Sequence, residues 1–237
     1  MAGVSVDYVV RLEQGRGLHP STSVLDALAR ALRLSDDERG YLFDLAGQRP
    51  SPPRRPVRAE RPASSLARLV EDLSPLPAML IDHRFDILAW NREIAALMLD
   101  FGRLPEGRRN TLWLCLMHPA LREFYRDREL VIRECIADLR AACAADPDDA
   151  ALTDLVATLT SQSEEFARLW ALRDVKVNGR GHTRLLHPTA GPLTIEFEVL
   201  APMQDPHHRL VVYRAADSAS QAALDALTLH AATLQSA

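Results

Sequence analysis

The chain has 237 residues, 47% apolar and 25% charged, with 28 Lys+Arg against 32 Asp+Glu for a net charge of −4. That composition suits one or two globular domains and excludes a wholly disordered chain, a collagen and a coiled-coil rod. No apolar run approaches the roughly 18 residues of a membrane span, the N-terminus (Asp7, Arg11, Glu13) holds no apolar signal core, and Cys115, Cys135 and Cys143, which cannot all pair, read as thiols of a cytosolic protein.

The first segment is helical in pattern. Ser5 caps a helix to about Gln14, with Val6, Val9 and Val10 inward and Asp7, Arg11 and Gln14 on the opposite face beside Tyr8. Gly15 and Gly17 end it. A second helix starts at Ser23, with Val24, Leu25, Leu28, Ala29 and Leu32 at helical spacing. A third starts at Ser35, with Glu38 completing a capping box, Tyr41, Leu42 and Leu45 as its stripe and Gly47 as its stop. Three short helices make a core that is marginal alone. Residues 1–49 carry a net charge of −1, which argues against strong nonspecific DNA binding.

Residues 48–62 read as a semi-rigid linker, in which five prolines are interleaved with four arginines over residues 50–62. Beyond it, Ala78–Asp82 and Phe85–Trp90 read as two strands. Asn91 caps a helix carrying Ile94, Ala95, Leu97 and Met98. Residues 111–125 read as two short helices broken at Pro119. A longer helix starts near Asp127, with Ile132, Ile136, Leu139 and Cys143 on one stripe. Leu152, Leu155, Val156 and Leu159 mark the next, and Ser163 caps another that bears Phe166, Leu169 and Trp170. The period then falls to two: His182–Leu186, Leu193–Val199 and Arg209–Arg214 read as strands. The fold class is α+β, an antiparallel sheet with helices inserted on one face. Residues 217–237 form an Ala/Leu-rich tail, expected as a short helix with a loose end.

No nucleotide-loop, metalloprotease or nucleophile-elbow motif occurs. Cys115 and His118 share a metal-like spacing but lack a second pair, and His207–His208 would point oppositely on a strand. No catalytic constellation, cofactor motif or metal site emerges, so an enzyme is not expected. Aromatic residues stand out instead: Trp90, Trp113, Phe124 and Tyr125 at element ends, Phe166 and Trp170 along a helix, and Tyr213 on the last strand. Singly each is core packing; together, under a helical block, they outline an apolar small-molecule cavity.

The segment from Ala2 to Arg16, with Ser23–Leu32 and Leu42–Gly47, resembles the later part of an Xre/Cro-type helix-turn-helix domain. Asp82–Asn91, Ser163–Trp170, Arg173–Val175, His187–Leu193 and Arg209–Tyr213 resemble the MmyB-like ligand-binding domain fused to it in actinobacterial regulators. The resemblance implies a PAS-like second domain that takes a small apolar, fatty-acid-like ligand, in a homodimeric cytoplasmic transcription regulator on double-stranded DNA, with no membrane partner. It implies that the helix at Ser5 is the recognition helix, so that Ser5, Asp7, Tyr8 and Arg11 meet bases or phosphates and Arg16 approaches the backbone. For the ligand, Trp90, Trp113, Phe124, Phe166 and Trp170 supply the apolar wall, and Arg173, His187 and Tyr213 are the partners for a carboxylate.

The sequence departs from this pattern in two places. The family has two helices before the recognition helix, whereas Met1 stands just ahead of Ser5; a misplaced start is the leading expectation, over truncation or natural loss. In the last case the chain is a ligand-binding or dimerisation module that modulates a full-length relative. Arg128 also stands where the family commonly has tryptophan, with consequence for one pocket wall.

Overall fold

The computed structural model describes residues 20–34, 39, 42–43, 46, 64–172, 180–203, 205 and 207–235. The chain falls into two compact units, residues 1–57 and 58–237. The helix at Ser5, the cap at Ser35, the stop at Gly47 and the linker lie outside the described residues.

In the first unit, α1 (Thr22–Leu32) buries Leu25, Leu28 and Ala29. It starts at Thr22, one residue before the expected Ser23, with Ser21 at the N-cap position, and Arg33 ends it in the left-handed region (φ 55°). Leu32, expected inside, is exposed. Arg39 holds Asp26 of α1 at 2.6 Å and lies over the ring of Phe43, which is buried.

The second unit is built on a five-stranded antiparallel sheet. Its strands are β1 (Ala78–Asp82), β2 (Ile87–Trp90), β3 (Arg180–His187), β4 (Gly191–Leu200) and β5 (His208–Ala215), in the order β2-β1-β5-β4-β3. The helices are α2 (Ser64–Asp72), α3 (Arg92–Leu97), α4 (Thr111–Met117), α5 (Arg128–Ala145), α6 (Ala150–Gln162), α7 (Glu164–Ala171) and α8 (Ser218–Gln235). The α+β class is as the periodicities indicate. Two apolar layers follow from the alternation of side chains along each strand. Met79, Ile81, Val211, Tyr213, Leu193 and Ile195 join the main core with Ile132, Ile136 and Phe166 of the helical block. Ala78, Leu80 and Leu210 point the other way and are covered by Val70 of α2. Helices therefore lie on both faces of the sheet, not on one, because β1 is apolar from Ala78 to Ile81 and both its faces must be buried.

Local chemistry explains the other departures from the periodic pattern. Phe85, expected in β2, sits in the preceding turn with φ 69°. The Asp82 carboxylate accepts from the backbone N–H of Arg84 (2.8 Å) and Asp86 (2.9 Å), and this turn holds Phe85 left-handed. After Pro119 there is a single 3-10 turn, Pro119–Leu121, rather than a second α-helix. Phe124 and Tyr125 then run alongside β3, with the Leu186 N–H donating to the Phe124 carbonyl (2.7 Å) and that of Arg126 to Arg184 (2.8 Å). The C-terminal helix is longer than expected. α8 buries Leu224 in the main core, and the Ser220 hydroxyl accepts from the Thr194 N–H of β4.

Candidate functional site

Between the inner face of the sheet and α5 lies a cavity of about 120 Å³. Residues of one strand parity form its floor: Met79 and Ile81 of β1, Arg209, Val211 and Tyr213 of β5, Phe197 and Val199 of β4, and Thr183 of β3. Register sets Ile81 opposite Arg209, Met79 opposite Val211, and Phe197 opposite Tyr213. α5 contributes Val131, Cys135 and Asp138, at i, i+4 and i+7, together with Glu134. Phe85, Met98, Thr111, Cys115 and Tyr125 complete the lining. Gly181 stands opposite Phe197, and a Cβ there would come within 3.1 Å of the ring. The missing side chain leaves the ring the place it occupies.

The walls are apolar, and the charge is concentrated. Arg209 Nη1 lies 3.8 Å from Asp138 Oδ2, and the guanidinium sits 5.9 Å from the centre of the Phe85 ring. Burial raises the Asp138 carboxyl above its ordinary range; Arg209 opposes the shift and Glu134 adds to it. Burial pushes the Cys115 thiol up to about 12 and that of Cys135 well up, and it raises both Tyr125 and Tyr213. Thiols and phenols in the cavity are therefore neutral at physiological pH. Asp138 Oδ1, Arg209 Nη1 and Thr183 Oγ1 are all buried and lack a hydrogen-bond partner. Buried polar atoms without partners are uncommon in native proteins, and here three of them belong to the lining of one cavity.

Two buried asparagines tie neighbouring elements together. Asn110 donates to the Arg84 carbonyl (2.7 Å) and Asp86 (2.9 Å), and its Oδ1 caps α4 at the Trp113 N–H. Asn91 uses all four of its hydrogen-bonding positions. Oδ1 accepts from the N–H groups of Ala78 and Ile94, and Nδ2 donates to the Val70 and Leu76 carbonyls. One side chain thus joins α2, β1 and α3.

Residues 62–227 match the family of the MmyB-like transcription regulator ligand binding domain, and residues 1–42 match a helix-turn-helix domain. The chain belongs to the MmyB-like transcription regulators. It joins a DNA-binding domain to a ligand-sensing one. Among solved structures, a PAS domain of an HTR-like protein from Haloarcula marismortui aligns with 64% of this chain and 89% of its own, at 14% identity and a TM-score of 0.28. No curated protein matches. Among the described residues no helix is long and apolar enough to cross a membrane, and no group of three or more His, Cys, Asp or Glu could hold a metal ion.

Of the eight ligand candidates named from the MmyB-like resemblance, Tyr213 lines the cavity. Phe166 and Trp170 stack on each other at 5.5 Å, with Arg140 over the indole. Trp90 packs edge-on against Phe101, and Arg109 lies over it. Trp113 lies under Arg108 with its Nε1 buried and unpartnered, and Phe124 meets Tyr125 edge-on. His187 has both ring nitrogens engaged. Nε2 donates to the Ala96 carbonyl, and Nδ1 accepts from the Thr189 and Ala190 N–H groups. Burial lowers its pKa, in keeping with a neutral ring. Arg173 and the DNA candidates Ser5, Asp7, Tyr8, Arg11 and Arg16 lie outside the described residues. Arg128 is not in the cavity wall. It grips Glu165 of α7 at 2.6 and 2.7 Å and donates to the Cys115 carbonyl at 2.9 Å.

Sequence reasoning missed Arg209, Asp138 and Thr183. A signal was there for the first: Arg209 shares strand parity with Val211 and Tyr213, so it is a charge on an otherwise apolar face. Asp138 lies on α5 next to the Ile132–Ile136–Leu139 stripe, seven residues on from Val131.

Proposed function

We propose that this chain is a one-component transcription regulator in which a small, mostly apolar ligand, bound in the cavity between the sheet and α5, alters the DNA affinity of the helix-turn-helix domain. The supporting observation is the cavity itself, inside a domain that matches a ligand-binding family and follows a helix-turn-helix match. A fatty-acid-like ligand suits the apolar walls. At about 120 Å³ only a short chain fits without a change of shape, since drug-sized ligands occupy pockets of roughly 300 Å³ or more.

In this reading Ser5, Asp7, Tyr8, Arg11 and Arg16 meet DNA, and the chain works as a cytoplasmic homodimer. The ligand binds two conformations unequally, and the linker carries the shift to the spacing of the two recognition helices. Fluorescence anisotropy of the full chain on DNA from upstream of its own gene tests this. The expected result is binding at 50 mM salt that is tighter than to a random fragment and falls with a log–log salt slope set by the phosphate contacts. Equal affinity for both fragments at low salt refutes it and leaves the module that modulates a relative. Native mass spectrometry of the same preparation reads dimerisation and any retained small molecule.

A further inference from the structure

Arg209 and Asp138 meet in the cavity wall as an ion pair but not as hydrogen-bonded partners. Their approach is 3.8 Å, from Nη1 to Oδ2, beyond hydrogen-bond range. Arg209 Nη1 and Asp138 Oδ1 are buried and make no hydrogen bond. A well-made Arg–carboxylate contact is about 2.7–2.9 Å long, close to the 2.6 and 2.7 Å that Arg128 reaches on Glu165. The loose pair leaves a donor of Arg209 open to a second acceptor.

Asp138 is the charge that yields more easily. Burial raises its carboxyl; Arg209 opposes the rise and Glu134, one turn back on α5, adds to it. A second carboxylate placed beside it favours the proton further, because two like charges in contact do not both stay ionised. Once Asp138 is protonated, Arg209 is a buried cation that only an anion can balance. The other acids around the pair take no part, since burial raises Cys115, Cys135, Tyr125 and Tyr213 and keeps all four neutral. His208, next to Arg209 on β5, shares the parity of Leu210 and faces the other side of the sheet. Val211 follows Arg209 on the cavity face and stands opposite Met79. A chain attached to a head group at Arg209 therefore runs onto apolar side chains.

We infer that a short-chain carboxylate binds with its head group on Arg209, in place of the loose contact with Asp138, and that Asp138 takes up one proton from solvent as the ligand enters. The ligand stays an anion, and the new Asp138 O–H donates to it. The inference rests on the reading of the cavity as the ligand site and names the anchor and the proton linkage of that site.

The test is an NMR titration of the full chain, methyl-labelled at Met, Ile and Val, with pentanoate and with benzene between pH 8 and 6. Pentanoate, like an ordinary carboxylate, is ionised throughout that range. Its affinity is expected to rise at least about tenfold as pH falls from 8 to 6, because the complex holds one more proton than its separate parts; benzene binding stays level. Asp138→Asn stands in for the protonated acid. It is expected to bind pentanoate at least about tenfold more tightly at pH 8 and to abolish the pH dependence. Arg209→Gln loses pentanoate and keeps benzene. Pentanoate affinity that is level with pH in the unsubstituted chain, or a pH dependence that persists in Asp138→Asn, overturns the proton linkage, and the Asp138→Asn arm decides this even if the arginine variant fails to fold. Pentanoate bound equally well by a folded Arg209→Gln overturns the anchor. Benzene entering where pentanoate does not overturns the inference and leaves the cavity a ligand site. No methyl shift with either probe overturns both.

Discussion

Asn91→Ala tests whether one side chain holds the sheet domain together. Asn91 is buried and makes four hydrogen bonds, of 2.8 to 3.2 Å, to three elements. Truncation removes the N-cap of α3, worth about 1 kcal/mol. It also leaves the buried Ala78 N–H without its side-chain acceptor, and an orphaned buried donor costs about 1–3 kcal/mol. The Val70 and Leu76 carbonyls lose a donor as well, so the whole is about 3–4 kcal/mol. Asn91→Ser separates the terms, because its hydroxyl still caps α3 but loses the ties to the Ala78 N–H and to the Val70 and Leu76 carbonyls. Urea unfolding followed by tryptophan fluorescence is the assay. Trp90, Trp113 and Trp170 all lie in residues 58–237, so the signal reports that unit. A loss below about 1 kcal/mol for Asn91→Ala, or equal losses for the two variants, would refute the reasoning.

Three further outcomes follow from the same geometry. Burial works against the Asp149 charge, but the His83 ring and the Ala151 and Leu152 N–H groups outweigh it and hold the carboxyl below its ordinary 3.8. Its stabilisation is thus complete above that value and is lost as pH falls through the lower native one; Asp149→Asn is expected to flatten the decline of the urea midpoint below pH about 4, and an unchanged profile would count against the pairing. The Cys115 thiol, at about 12, leaves about one thiolate in ten thousand at pH 8, so peptide mapping after iodoacetamide should find it unmodified until urea unfolds the chain. Arg128→Ala is expected to cost about 1–3 kcal/mol by freeing Glu165 and the Cys115 carbonyl; Arg128→Lys should not restore it, since an ammonium cannot reproduce the fork that grips both, and full recovery in the lysine variant would show that charge alone suffices.

The sequence by itself determined the elements and their caps. Asn91 and Ser163 cap the helices that were read from their spacing, and the Ile132, Ile136 and Leu139 stripe of α5 is buried. Caps and periodicity act within a few residues, so the local sequence carries them. It also carried the α+β class and the likeness to MmyB-like regulators, which depends on the order of motifs along the chain. Tertiary structure decided where the cavity lies and what lines it. The aromatic residues that stood out by type mostly pair with each other or with arginines, as Phe166 with Trp170 and Trp90 with Arg109, because large rings bury most area by packing on neighbours. The cavity instead gathers Arg209, Asp138 and Thr183 from β5, α5 and β3, residues up to 71 positions apart by their numbers. Only strand register and the seating of α5 on the sheet bring them together, and no periodicity along the chain encodes a meeting at that distance.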